Sequence, residues 1–131
     1  MQKLLNHKLF HINQNLVLKN GQDEVLILKK ENKWMLPGGR LEKDEEWEQG
    51  LRREIKEETN IKDFSIKNIS SVDISDSGNT YIIIFVGYIK NKKKIILSHE
   101  HIDYAWVKLD SLNKYDFWHK KIKDRIKIAF E

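Results

Sequence analysis

Three glutamates set the chemistry this chain can attempt. Glu54, Glu57 and Glu58 stand at i, i+3 and i+4, which puts all three carboxylates on one face of a helix. Like charges that close repel and need compensation. One source is internal: Arg52, Arg53 and Lys56 lie in the same stretch and would pair with the glutamates as a solvated face. The other is a hard divalent cation, since Mg²⁺ and Mn²⁺ prefer carboxylate, carbonyl and water oxygens. Ahead of the glutamates, Pro37-Gly38-Gly39 ends any strand and leaves an unusually free backbone. Other chemistries drop out. With no Cys there is no thiol nucleophile, disulfide framework or Cys-type zinc site. No P-loop and no Ser/His/Asp arrangement is present. His99 and His101 share one loop without a third ligand nearby, so they read as incidental rather than as a zinc site.

The order of residues is more specific than the acidic cluster alone. From the second glycine it runs Gly39-x5-Glu45-x7-Arg53-Glu54-Ile55-x-Glu57-Glu58-x-Asn60-Ile61. This resembles the Nudix box, Gly-x5-Glu-x7-Arg-Glu-U-x-Glu-Glu-x-Gly-U with U aliphatic, the signature of Nudix (MutT-like) hydrolases. Only the last glycine differs. Asn60 stands there, and Asn is the residue after Gly that best tolerates a left-handed helix end. The likeness extends over about residues 3–115, through Trp34–Gly39 before the box, Glu42 within it, and Glu100-His101, Tyr104–Val107 and Leu109–Leu112 after it.

What the resemblance implies can be placed residue by residue. Glu57 and Glu58 would be the principal metal ligands, with the Gly39 carbonyl as a further oxygen. Glu54 would bind metal or take a proton from the attacking water. Arg53 would hold the carboxylates, and Glu45 would brace Arg53 without reacting. Glu100 is a further ligand or base, or else an exposed loop residue. Arg40 and Lys43 would neutralise substrate phosphate or lie at the surface. The implied reaction is cleavage of a phosphoanhydride bond in a nucleoside di- or triphosphate derivative by water attack at phosphorus, with Mg²⁺ as cofactor and Mn²⁺ as substitute. Cations bridging the phosphate oxygens would lower the pKa of bound water, and positioning would supply most of the remaining acceleration. A nucleoside triphosphate would give a monophosphate and pyrophosphate. A nucleotide-sensing module without turnover and an RNA 5′-end pyrophosphohydrolase are the alternatives.

Those residues need a scaffold. Lys8–Lys19 and Val25–Leu28 flank the turn signal Asn20-Gly21 and read as a hairpin. A helix is expected from Asp44 to about Thr59, with Asp44 as N-cap, Glu45 and Glu46 at the positive end of its dipole, and Trp47, Leu51 and Ile55 as its buried stripe. Phe64–Ile74, Tyr81–Ile89 and Tyr104–Val107 read as strands, and Leu109–Leu112 as one helical turn. Lys90–Lys94 reads as a turn leading into Ile95–Leu97. An amphipathic helix is expected from Phe117 to Phe130, burying Trp118, Ile122, Ile126 and Ala129. Tyr81 and Tyr88 fall on opposite faces of their strand. Strands interleaved with two helices make a mixed α/β chain, and the family implies an α/β/α sandwich around a mixed sheet.

At 131 residues, with 40% apolar residues and no Pro/Gly/Ser-rich linker, the expectation is a single domain, residues 1–131. The longest apolar run, Tyr81–Val86, is too short to span a bilayer. The opening MQKLLNHKLFHINQ lacks a continuous apolar core and a cleavage site, so the expected compartment is the cytoplasm. A net charge of +4 suits a phosphate-bearing partner. Lys92–Lys94 and the basic tail would serve RNA if the small-nucleotide reading were wrong. A homodimer is open, since many relatives dimerise but no interface is marked.

Overall fold

The computed structural model describes residues 7–92 and 94–131. Met1–Asn6 of the opening stretch, and Lys93 of the basic turn, lie outside the described residues.

Seven strands form one mixed sheet: β1 (His11–Asn20), β2 (Glu24–Lys30), β3 (Lys33–Met35), β4 (Gly38–Arg40), β5 (Ser65–Ile74), β6 (Thr80–Ile89) and β7 (Asp103–Lys108). The order is β3-β2-β1-β6-β5, with β4 paired to β1 and β7 to β2. β1 runs parallel to β6 along its whole length, from His11 opposite Thr80 to Asn20 opposite Ile89. The expected hairpin is therefore only a tip: β1 and β2 pair at Lys19 and Val25. Asn20 makes that tip, its Oδ1 accepting the Gln22 and Glu24 N–H groups. The other half of the same β1 edge takes β4, with Asn13, Gln14 and Asn15 opposite Arg40, Gly39 and Gly38.

Continuous apolar runs suit strands covered on both faces. Leu16, Leu18, Leu26, Leu28 and Phe85 pack with Leu51 and Ile55 of helix α1 (Trp47–Thr59) on one side. Val17, Val25, Ile27, Ile84 and Val86 pack on the other with Leu112, Phe117 and with Ile122, Ile126 and Ala129 of helix α2 (Lys121–Ala129). This is the three-layer α/β/α sandwich. Leu109–Lys114 is a 3-10 helix.

Several expectations need correction. Asp44 does not cap α1. It adopts φ 62° in a turn where the Glu45 N–H donates to Glu42 O and the Glu45 side chain folds back onto the Glu42 N–H. The helix begins at Trp47 after an extended Glu46. Trp47 is not core: it remains 48% exposed and stacks its ring on buried Phe85 at 5.2 Å. The last helix starts at Lys121 rather than Phe117, because Phe117 is bridged to Trp34, and Trp118 is 44% exposed. Beyond the basic turn, Ile95–Leu97 runs as irregular backbone. Ile95 is buried, and the Ile96 N–H donates to Thr59 O. Asn60 ends α1 as expected, with φ 66° and its N–H on Lys56 O.

Candidate active site

β4 and α1 bring the motif together. Gly38 has φ 147°, a conformation that disfavours side chains, and a Cβ there would strike the β1 backbone at Gln14. Its N–H donates to Glu58 Oε1 at 2.7 Å. A Cβ on Gly39 would lie 2.5 Å from the Glu54 carboxylate. The glycine pair thus lets β4 press directly against two of the three glutamates.

Arg53 occupies the centre of the cluster. Its Nε and Nη2 donate to the two oxygens of Glu45 at 2.6 and 3.1 Å. Its Nη1 lies 3.0 Å from Glu54 Oε1 and 3.4 Å from both Glu57 oxygens, and 3.6 Å from Glu42 Oε1. Glu45 therefore supports Arg53 from behind while Arg53 gathers Glu54 and Glu57 in front. Those hydrogen bonds hold the Glu45 carboxyl below its usual range and raise the guanidinium's. Gly50 is the accomplice composition alone does not reveal: a Cβ there would meet Leu41 Cδ1 and the Glu45 carboxylate at 2.5 and 2.8 Å.

The three glutamates sit at different depths. Glu57 is exposed, Glu54 half-buried, and Glu58 buried at 7% exposure. Burial pushes the Glu58 carboxyl up to about 8, against the pull of the Gly38 N–H and with the charges of Glu54, Glu100 and Glu57 adding to the rise. Burial is also the main cause of the upward shift at Glu54, with Arg53 opposing it. Glu100 is exposed on its loop, yet near enough for its charge to weigh on both Glu54 and Glu58. The structure thus brings together Gly39, Glu45, Arg53, Glu54, Glu57, Glu58 and the vicinity of Glu100. Arg40 contributes a carbonyl 3.5 Å from Arg53 Nη2; its side chain and that of Lys43 are exposed.

This donor set fits a hard divalent cation. It is all oxygen, and it holds a desolvated carboxylate, Glu58, on which the negative charges of Glu54, Glu57 and Glu100 all weigh. Among the described residues no three His, Asp or Glu side chains already converge as a metal cage. Arg53 supplies the positive charge between Glu54 and Glu57 instead.

The sequence reading missed a cavity on the sheet face opposite this cluster. About 330 Å³ in volume, it opens on the α2 face of the sheet and is lined by Asn13, Asn15, Leu36, Ile82, Trp118 and Arg125 among others. Arg125 Nε donates to Asp73 at 3.0 Å and His119 Nε2 lies 3.2 Å from Asp76, tying α2 and the segment before it to β5 and the turn after it. Helical spacing places Trp118 in the core; no local pattern marks it as a cavity wall.

A family profile described as NUDIX domain matches residues 9–126. The chain belongs to the Nudix family. As a Nudix hydrolase it acts on acid anhydrides, as the motif implied. It is 33% identical over 94 residues to the nucleoside triphosphatase NudI of Klebsiella pneumoniae, an alignment covering 63% of this chain and 67% of that protein. The NudI of Escherichia coli O139:H28 is 32% identical over 95 residues, covering 63% and 67%. Among solved structures, a MutT protein from Methanosarcina mazei superposes with TM-score 0.77 at 26% identity, covering 95% of each chain. An Ap4A hydrolase from C. elegans shares the fold, with TM-score 0.74 at 22% identity over 88% of this chain and 92% of that one. No helix among the described residues is long and apolar enough to cross a membrane.

Proposed function

We propose that this Nudix hydrolase cleaves nucleoside triphosphates or closely related nucleoside diphosphate derivatives, with Mg²⁺ as its cofactor and Mn²⁺ as a substitute. The observation that carries the reading is the Arg53-centred cluster, in which the buried Glu58 is held by the Gly38 N–H and Glu54 and Glu57 are gathered by one guanidinium. The NudI relatives, named as nucleoside triphosphatases, support the substrate class.

Glu57, Glu58 and the Gly39 carbonyl are the cation ligands in this reading, with Glu54 and Glu100 either joining them or serving as base. The cation, when bound, neutralises phosphate charge and makes an attacking water more acidic. The chain's own groups do the rest. Arg53 keeps Glu54 and Glu57 oriented, Glu45 keeps Arg53 from swinging away, and Glu54 or Glu100 accepts the proton from water as its oxygen bonds to phosphorus. The bridging P–O bond then breaks, so a nucleoside triphosphate yields the monophosphate and pyrophosphate. The burial of Glu58 away from water strengthens these interactions.

The cavity on the other face is the nucleoside site in this reading. Trp118 offers an exposed aromatic wall and Asn13 and Asn15 offer amides at a sheet surface that is otherwise apolar there. Leu36 lines the cavity and Gly39 adjoins Glu54.

The test is product release from a panel of nucleoside triphosphates, nucleoside diphosphate conjugates, dinucleoside polyphosphates and triphosphorylated RNA, with Mg²⁺ or Mn²⁺, each run beside Glu57→Gln. Turnover of a nucleoside triphosphate that collapses in the variant is the expected result. Full turnover in Glu57→Gln would remove the ligand assignment, and exclusive turnover of RNA would replace the substrate class.

A further inference from the structure

His101 is buried at 7% exposure on the loop that also carries Glu100, and the cluster described so far makes no use of it. Two backbone bonds fix its place. The His101 N–H donates to Ser98 O at 3.2 Å, and the next residue, Ile102, donates to Lys29 O at 2.8 Å, pinning the loop to the end of β2. The imidazole consequently lies behind the acidic cluster, with Nε2 3.6 Å from Glu58 Oε2. Its other nitrogen, Nδ1, is buried with no hydrogen-bond partner among the described residues.

That asymmetry selects a tautomer. When Glu58 is ionised, as a cation ligand must be, a proton on Nε2 sets a donor against the carboxylate and leaves only an acceptor unpaired at Nδ1. The opposite tautomer would set a lone pair against the carboxylate and bury an unpaired N–H, which is worse on both counts. Glu58 is then addressed at both oxygens, by the Gly38 N–H at Oε1 and by the imidazole at Oε2. Each oxygen still has a lone pair for a cation. The 3.6 Å separation is an electrostatic contact, and a shortening of about half an ångström would make it a hydrogen bond.

We propose that His101 is a positioning residue that fixes the plane of the Glu58 carboxylate from behind, so that Glu58 presents its oxygens to the divalent cation in one orientation. The inference rests on the reading of Glu58 as a cation ligand. It assigns His101 no contact with substrate and no proton transfer. Partners of this kind, one step removed from a metal, typically change affinity by about ten- to a hundredfold.

The experiment is a titration of the protein alone with Mn²⁺, followed by electron paramagnetic resonance, for wild type, His101→Leu, His101→Gln, His101→Asn and Glu58→Gln. Circular dichroism and thermal melts in chelator establish that each variant is folded. His101→Leu is expected to weaken Mn²⁺ about tenfold or more. His101→Gln, whose amide nitrogen reaches about as far as Nε2, is expected to restore most of the affinity. His101→Asn, whose amide falls short, is not. Should His101→Leu fail to fold, the Gln and Asn pair carries the comparison. Wild-type affinity in His101→Leu, or equal affinity in His101→Gln and His101→Asn, overturns the proposal. If Glu58→Gln itself binds Mn²⁺ like wild type, the reading of Glu58 as a ligand falls first and takes this inference with it. Loss in Glu58→Gln without loss in His101→Leu removes His101 alone.

Discussion

The Arg53 guanidinium meets the Glu45 carboxylate side by side, Nε on one oxygen at 2.6 Å and Nη2 on the other at 3.1 Å. A planar fork matched to two carboxylate oxygens fixes an arginine's plane as well as its position. The remaining nitrogen, Nη1, thereby points at Glu54 and Glu57. A residue eight positions earlier in the chain sets the guanidinium that faces Glu54 and Glu57.

Arg53→Lys should therefore be far from conservative. Lysine keeps the charge and loses the fork, so Glu45 and the pair Glu54/Glu57 can no longer be served together. Turnover is expected to fall about tenfold or more, since a single preorganised donor is often worth that much. Glu45→Gln should give a smaller loss in the same direction, because one of its two acceptors survives. Steady-state kinetics at saturating metal checks both.

The cation-free protein should lose stability as pH rises. The Glu58 carboxyl is raised from 4.5 to about 8 in the fold, so between those values the folded state holds a proton that the unfolded chain releases. Stability then falls with pH across that window and levels off above it. The upward shift at Glu54 acts in the same direction. Glu58→Gln should match wild type near pH 4.5 and exceed it at pH 8 and above, by roughly 1–3 kcal/mol after relaxation and water penetration. Melting temperatures in chelator across pH 5–9 test this, and a wild-type melting temperature that climbs through that range would refute it.

The two motif glycines should fail in different ways. Gly38→Ala places a Cβ on the β1 backbone at a φ that disfavours it, and is expected to destabilise by roughly 1–3 kcal/mol. Gly39→Ala meets a side-chain carboxylate instead of backbone. Glu54 can swing aside, so the fold should survive while turnover falls. Chemical denaturation set beside kcat separates the two.

Trp118→Ala tests the cavity. An exposed aromatic of this kind contributes little to the core, so stability should change by less than about 0.5 kcal/mol. If a nucleobase stacks on it, the lost contact is worth about 1–3 kcal/mol, which raises KM severalfold to a hundredfold with kcat nearly preserved. An unchanged KM would place the base elsewhere.

The family, the acidic face of α1 and the end of that helix are legible from the residues alone, because they depend on positions close together in the chain. Spacings of three and four residues fix a helical face, and Asn60 at a left-handed position is a local preference. The cover on both sheet faces was implied by the family resemblance, and in the fold runs such as Val25–Leu28 are buried throughout. Tertiary structure decided what depends on distant partners. Asp44 looked like a cap by residue type, but Glu45 is drawn to Arg53 and the Glu42–Glu45 turn moves the helix start to Trp47. Trp47 and Trp118 had helical spacing that implied burial, yet one stacks at an open edge over Phe85 and the other walls a cavity. Nor does any nearby residue mark His101 as the neighbour of Glu58, because the two meet across 43 positions only when the loop is tied to Lys29. Local periodicity encodes which face a side chain takes; only the packed sheet settles what stands opposite it.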